Sequence, residues 1–137
     1  MLMKFLSNRQ QNEFYSEGLH PLLRMLVPFV DWKEKQRGGE DFWVTCVCRS
    51  KEEHFRLYTD VLGKKVSEIP KSAHCKKPSH AIDLTPVTDR RTAEFFYWRN
   101  VFPWLKIVVH TGKDGFSTGA CYHLEIIEKE DPTKINY

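Results

Sequence analysis

Apolar residues recur at three- and four-residue steps along Leu19, Leu22, Leu23, Leu26, Val27 and Val30. That period predicts a helix over 17–35 with one apolar face. Pro21 suits its first turn, Pro28 predicts a kink or a division, and Gly38-Gly39 marks its end. The pattern then changes. Residues 41–48 alternate and carry Phe42, Trp43, Val44, Thr45 and Val47, which predicts a buried strand. Ser50 followed by Glu53 is a capping box, and it opens a helix with Phe55, Tyr58 and Leu62 on one face, stopped at Gly63. A polar loop over 64–80 leads to a short strand at 81–84, a helix at 89–100 and a strand at 105–110. A glycine-rich turn at 111–119 leads into a last strand at 120–128. Residues 1–16 read as a loosely docked start and 129–137 as a peripheral polar tail. The order of elements predicts one α+β domain over 1–137, a small antiparallel sheet packed against about three helices.

Composition narrows the class. The 137 residues are enough for a real core, and 41% hydrophobic with 28% charged residues is ordinary for a globular chain. Aromatic residues reach 13% and cluster at Phe95-Phe96-Tyr97-Trp98 and Phe102-Pro103-Trp104. They predict aromatic core packing, with a ligand-stacking surface as the other reading. A net charge of +3, spread over Lys64-Lys65, Lys76-Lys77 and Arg90-Arg91, argues for solvated faces and against nucleic-acid binding. The run Met1-Leu2-Met3-Lys4-Phe5-Leu6 is too short for a secretory signal, and no run reaches transmembrane length, so the expectation is synthesis in the cytoplasm with no membrane partner. Cys46, Cys48, Cys75 and Cys121 lack C-x-x-C spacing and are expected as free thiols; Cys46 and Cys48, two apart, would share one strand face.

The candidate chemistry lies in two short stretches. Asp83 stands between Ile82 and Leu84, and His123 between Tyr122 and Leu124. A carboxylate in an apolar strand is costly unless it is paired or bound to a metal. With His74 in the preceding loop, these residues offer two imidazoles and a carboxylate, a ligand set for a catalytic zinc ion with one position open for water. No local spacing rule such as H-E-x-x-H ties them together. On spacing alone His74 and His80 read equally as exposed loop histidines, Asp83 as a turn cap and His123 as a sheet histidine.

Four segments, in order, resemble a known family. They are Gly18-Leu19-His20-Pro21-Leu22, then Phe42-Trp43-Val44-Thr45 with Arg49-Ser50-Lys51-Glu52-Glu53, then Ser72-x-His74 with Pro78-Ser79-x-Ala81-Ile82-Asp83-Leu84-x-Pro86, and finally His123-Leu124-Glu125-Ile126. The chain resembles the zinc D,D-/L,D-peptidases, most closely the small bacteriophage endolysins that cut peptidoglycan stem peptides. The resemblance implies His74, Asp83 and His123 as zinc ligands. It implies Arg49 facing the cleft, where it would bind a substrate carboxylate or the developing oxyanion, and Ser72 shaping the metal loop or donating to substrate. A helix-start salt bridge for Arg49 and a turn role for Ser72 remain the plainer readings.

The chain departs from the family at one place. The acidic general base expected three residues before the last histidine is Ala120 here. Asp114 and Glu125 are the replacement candidates, Asp114 sharing its place with an Asp-Gly turn signal and Glu125 lying two residues past His123 on the same strand face. Cys121, on that face too, is a further possible metal donor. The expected function is a monomeric zinc metallopeptidase acting on a peptidoglycan stem peptide after release from the cell. The alternatives are a catalytically degenerate zinc module that binds peptide or cell-wall fragments and, more weakly, a nucleic-acid-associated protein.

Overall fold

The computed structural model describes residues 3–16, 18–113 and 119–127. Five strands form one sheet: β1 (Lys4–Phe5), β2 (Trp43–Cys46), β3 (Ala81–Thr85), β4 (Leu105–Thr111) and β5 (Ala120–Ile126). Their order is β1-β2-β3-β5-β4. The β2-β3-β5-β4 portion is antiparallel, as expected, and β1 adds a parallel edge, so the sheet is mixed. Among the described residues four α-helices accompany it: α1 (Asn8–Tyr15), α2 (Pro21–Gln36), α3 (Lys51–Arg56) and α4 (Asp89–Val101). The architecture is α+β, and no helix among the described residues is long and apolar enough to cross a membrane.

The core forms on one face of the sheet. Val44, Ile82, Leu84, Tyr122, Leu124 and Ile126 meet Leu23, Leu26, Val27 and Val30 of α2 and Phe95 of α4. Alternation explains the choice of face, since Ile82 and Leu84 share one phase of β3 while Tyr122, Leu124 and Ile126 share one phase of β5. Only part of the aromatic cluster enters this core. Phe95 is fully buried between Phe42 and Tyr122, whereas Phe96, Tyr97 and Trp104 stay exposed.

Several local expectations change. The first sixteen residues are not loosely docked: Met3 and Phe14 are buried, and Ser7 caps α1 by accepting from the Gln10 amide. That segment lacks a long apolar repeat, and it is held by a two-residue parallel pairing with β2. α2 runs on through Pro28 without dividing, because its buried residues on both sides of the proline keep one stripe against the sheet. His20 rather than a smaller polar residue caps α2, its Nδ1 accepting from the Leu22 amide, with Pro21 in the first turn. The capping box at Ser50 and Glu53 forms, and Gly63 ends the segment with φ +66°, a conformation that suits glycine. Between them α3 widens into a π-type turn over Leu57–Val61, and Phe55 is exposed while His54 and Tyr58 are buried. Arg91 is also no solvated charge. It is buried beside Glu34, over the Phe42 ring, and donates to the Pro86 and Glu40 carbonyls.

Candidate metal centre

The sheet's second face carries polar groups where the first carries the core. Cys121, His123 and Glu125 project from β5 in the phase opposite to Tyr122 and Leu124. In register with them, Lys106, Val108 and His110 come from β4 and Asp83 from β3. A cleft of about 220 Å³ opens over this face, lined by Arg49, Tyr58, Ser72, His74, Asp83, Lys106, His123 and Glu125 among others.

His74, Asp83 and His123, separated along the chain, converge. Asp83 Oδ1 lies 3.1 Å from His74 Nε2 and 2.9 Å from His123 Nδ1. Each imidazole is pinned from behind. His74 Nδ1 donates to the Val47 carbonyl at 2.9 Å, and His123 Nε2 donates to Glu125 Oε1 at 2.9 Å. Neither histidine is an exposed loop residue or a solitary sheet histidine, since His74 is buried and His123 half-buried. His80 is buried too, but it sits with Nδ1 at the Pro78 carbonyl and its ring against His20, apart from this group.

The charges are strongly coupled. Burial works to neutralise Asp83, yet the charge of His74 and the hydrogen bonds from both imidazoles hold its carboxyl far below the usual carboxylate range. Burial likewise opposes charge on His74, and Asp83 outweighs it and raises the imidazole pKa well above its ordinary value. His123 is raised against burial by hydrogen bonds to Asp83 and Glu125. The hydrogen bond from His123, with help from the Lys106 charge, lowers the Glu125 carboxyl despite its burial.

The cleft also gathers residues that the sequence pattern does not single out. Cys46 brings its sulfur to the cluster, so that one ligand atom each from Cys46, His74 and Asp83 lie within 4.8 Å of one another, a group able to hold a metal ion. His54 receives Arg49 Nη1 on its Nδ1 at 3.1 Å and donates from Nε2 to the Pro70 carbonyl at 2.7 Å. This holds the Arg49 fork toward the cleft, with Nη2 at 3.8 Å from Asp83 Oδ2 and 3.5 Å from Cys46 Sγ. Among the described residues Arg49 pairs with Asp83 rather than with an acid at its own helix start, where Glu53 pairs with Arg9. Ser72 accepts the His74 amide and shapes the turn that carries His74, which is the turn role.

The positions considered for the missing acid stand differently in the fold. Ala120 opposes Thr111 at the start of β5 and falls in the strand phase of Tyr122, so an acid there would point away from His123. Glu125 is in the phase of His123 and bonded to it. Asp114 lies outside the described residues. Cys121 shares the site face but is not in the metal-capable group; the cysteine that is, Cys46, comes from β2.

Cys46, His74 and Asp83 supply donors that suit a metal, and His123 reaches Asp83 from outside that group. Ligand atoms on a tetrahedral ion at about 2.0–2.1 Å stand about 3.3–3.4 Å apart. The 3.1 Å and 2.9 Å separations at Asp83 Oδ1 are near that spacing and are equally ordinary hydrogen-bond lengths, and His123 lies outside the group of Cys46, His74 and Asp83 whose ligand atoms are within 4.8 Å of one another. Ligating histidines commonly give their second N–H to a carbonyl or carboxylate, and Val47 and Glu125 occupy those places. Comparison with family models, with curated proteins and with solved structures returns no match.

Proposed function

We propose that this protein is a zinc-dependent peptidase that hydrolyses an amide bond in peptidoglycan stem peptides. The observation that carries the reading is the pair of imidazoles, each anchored by one nitrogen and aimed by the other at the same carboxylate oxygen. His74, Asp83 and His123 would hold the ion. Zinc bound there supplies Lewis acidity and a water that ionises near neutral pH.

The rest falls to the chain's own residues. Glu125 fixes the tautomer and tilt of His123 and, lining the cleft, is also the carboxylate assigned to accept a proton from the attacking water. Arg49, aligned by His54, presents a permanently charged fork for a substrate carboxylate or for the oxyanion of the tetrahedral intermediate. Lys71 and Lys106 line the same cleft, and their charge favours a peptide carrying carboxylates, which stem peptides do. The ordered resemblance of the motif segments to endolysin peptidases supports the same substrate class.

The test is zinc content by elemental analysis together with muropeptide release, for wild type and His123→Ala. The expected result is near-stoichiometric zinc and cleavage in wild type, with both lost in the variant. A wild type that retains no zinc and cleaves no stem peptide overturns the proposal. The second reading is a degenerate module that binds the same peptides without turnover. It is favoured by Glu125, whose Oε1 is engaged by His123. Bound zinc and muropeptide binding without product would establish it.

A further inference from the structure

The strongest unassigned feature is the way Cys46 reaches the cluster. In β2, Val44 pairs with Leu84 and belongs to the core face. Simple alternation would then put Thr45 on the site face, opposite Asp83, and return Cys46 to the core. The register instead slips between Val44 and Cys46, so that Cys46 is the partner of Asp83. A bulge inserts one residue, here Thr45, and re-aims the next side chain, and such bulges are frequent beside active sites. Its effect is to carry a sulfur across the sheet to the metal-capable group. The strand stops there. Cys48, expected on the same face, turns back to the Gly18 carbonyl, where burial pushes its thiol up to about 11.

We propose that Cys46 joins His74 and Asp83, the residues whose ligand atoms lie within 4.8 Å of one another, as a direct donor to the ion, with His123 closing on it from its contact with Asp83 as the fourth. The inference rests on the metal reading above but not on hydrolysis. As the sulfur–metal bond forms, the thiol proton leaves to solvent, and Arg49 Nη2 remains beside the sulfur as a compensating cation. Sulfur, nitrogen and oxygen donors together complete a tetrahedral set, which closes the position that water takes in a catalytic site. The bound protein then has a closed form, and hydrolysis requires Cys46 to leave the ion. Arg49 couples the two events, because the guanidinium beside the sulfur is also the fork assigned above to a substrate carboxylate or the oxyanion.

Cobalt reports on both parts. The metal-stripped full chain is titrated with Co2+ alone, as wild type, Cys46→Ser and Cys121→Ser. Wild type is expected to show visible cobalt bands and a near-ultraviolet sulfur-to-cobalt charge-transfer band. Cys46→Ser should lose the charge-transfer band, keep the visible bands and bind Co2+ more weakly, by at least the roughly 10–100-fold that follows loss of a mere outer partner of a ligand. Cys121→Ser should resemble wild type. As a check that needs no variant, Zn2+ should protect Cys46 of wild type from alkylation, read by mass spectrometry of its peptide. Visible bands without a charge-transfer band, a band retained in Cys46→Ser, or alkylation of Cys46 unaffected by Zn2+ would overturn the proposal and leave the metal reading intact. No cobalt bands and no zinc retention would overturn both.

Discussion

The two faces of the central sheet are built from the same strands and obey different rules. On one face Ile82, Leu84, Tyr122 and Leu124 are fully buried against helices, and any well-fitting apolar side chain would serve. On the other, one residue away in each strand, Asp83 binds His123 and also His74, and the two imidazoles are pinned in turn by Glu125 and by the Val47 carbonyl. The first face derives its stability from area removed from water. The second buries charge, which costs stability and persists because every partner is in place. The difference between neighbouring residues such as Asp83 and Leu84 is therefore one between a side chain that must hold charge and one that need only fill space.

The sharpest way to break this comparison is to substitute across that single step. Asp83→Asn should abolish zinc retention and reduce muropeptide release to background, while far-ultraviolet circular dichroism stays that of wild type. Asparagine keeps the shape but cannot supply the anionic ligand or neutralise two imidazoles. Retained zinc in Asp83→Asn would remove Asp83 from the ligand set. Leu84→Ala should do the reverse, destabilising the fold by about 2–5 kcal/mol in urea unfolding through transfer loss and a cavity. Zinc bound per folded molecule should stay unchanged. If Leu84→Ala instead lost zinc at full folding, the two faces would not be separable.

Legibility in the sequence divides along the same line. Asp83 betrayed the site because a carboxylate flanked by Ile82 and Leu84 conflicts with its surroundings, and His123 did so between Tyr122 and Leu124. The α2 stripe, the Ser50 cap and the Gly63 stop are local signals, so they could be read directly. The features that escaped depend on geometry between distant segments. Cys46 arrives through a one-residue register slip that alternation cannot anticipate. His54 matters only because α3 carries it under Arg49 and against the Pro70 carbonyl. The first strand is two residues long and exists only by pairing with β2. Arg91 looks like half of a solvated basic pair until the fold sets it between Phe42 and Glu34.

A third substitution sharpens the polar face from behind the ligands. Glu125→Gln keeps a hydrogen-bond acceptor for His123 but removes the charge. It should weaken zinc binding by roughly 10–100-fold, as loss of a charged partner to a ligating histidine does. Glu125→Ala should cost more, since His123 Nε2 is then left without its acceptor. Competition with a chelator measures both. Equal affinities for wild type, Gln and Ala would mean that Glu125 does not orient His123. Turnover that falls further than zinc occupancy in Glu125→Gln would identify it as the proton acceptor.

The smallest expected effect concerns the strap that joins the two sides at the sheet edge. Arg9 of α1 holds Glu53 of α3 at 3.1 Å, linking a helix docked on the core to the helix that comes after Arg49. Burial acts to raise the Glu53 carboxyl, but the hydrogen bond from Arg9 and the Ser50 amide prevail, and its pKa is lowered on folding. A depressed folded pKa adds stability that is present above the unfolded value, about 4.3, and is lost as pH falls through the folded value. Arg9, raised on folding, stays charged throughout and adds no loss of its own in that range. Both side chains are substantially exposed, so a double-mutant cycle of Arg9→Ala and Glu53→Ala should give a coupling of only about 0.2–1 kcal/mol near neutral pH. The coupling should shrink in high salt and disappear in acid once Glu53 is protonated. A coupling that survives both conditions would mean that packing of the arginine stem, rather than charge, joins the two sides.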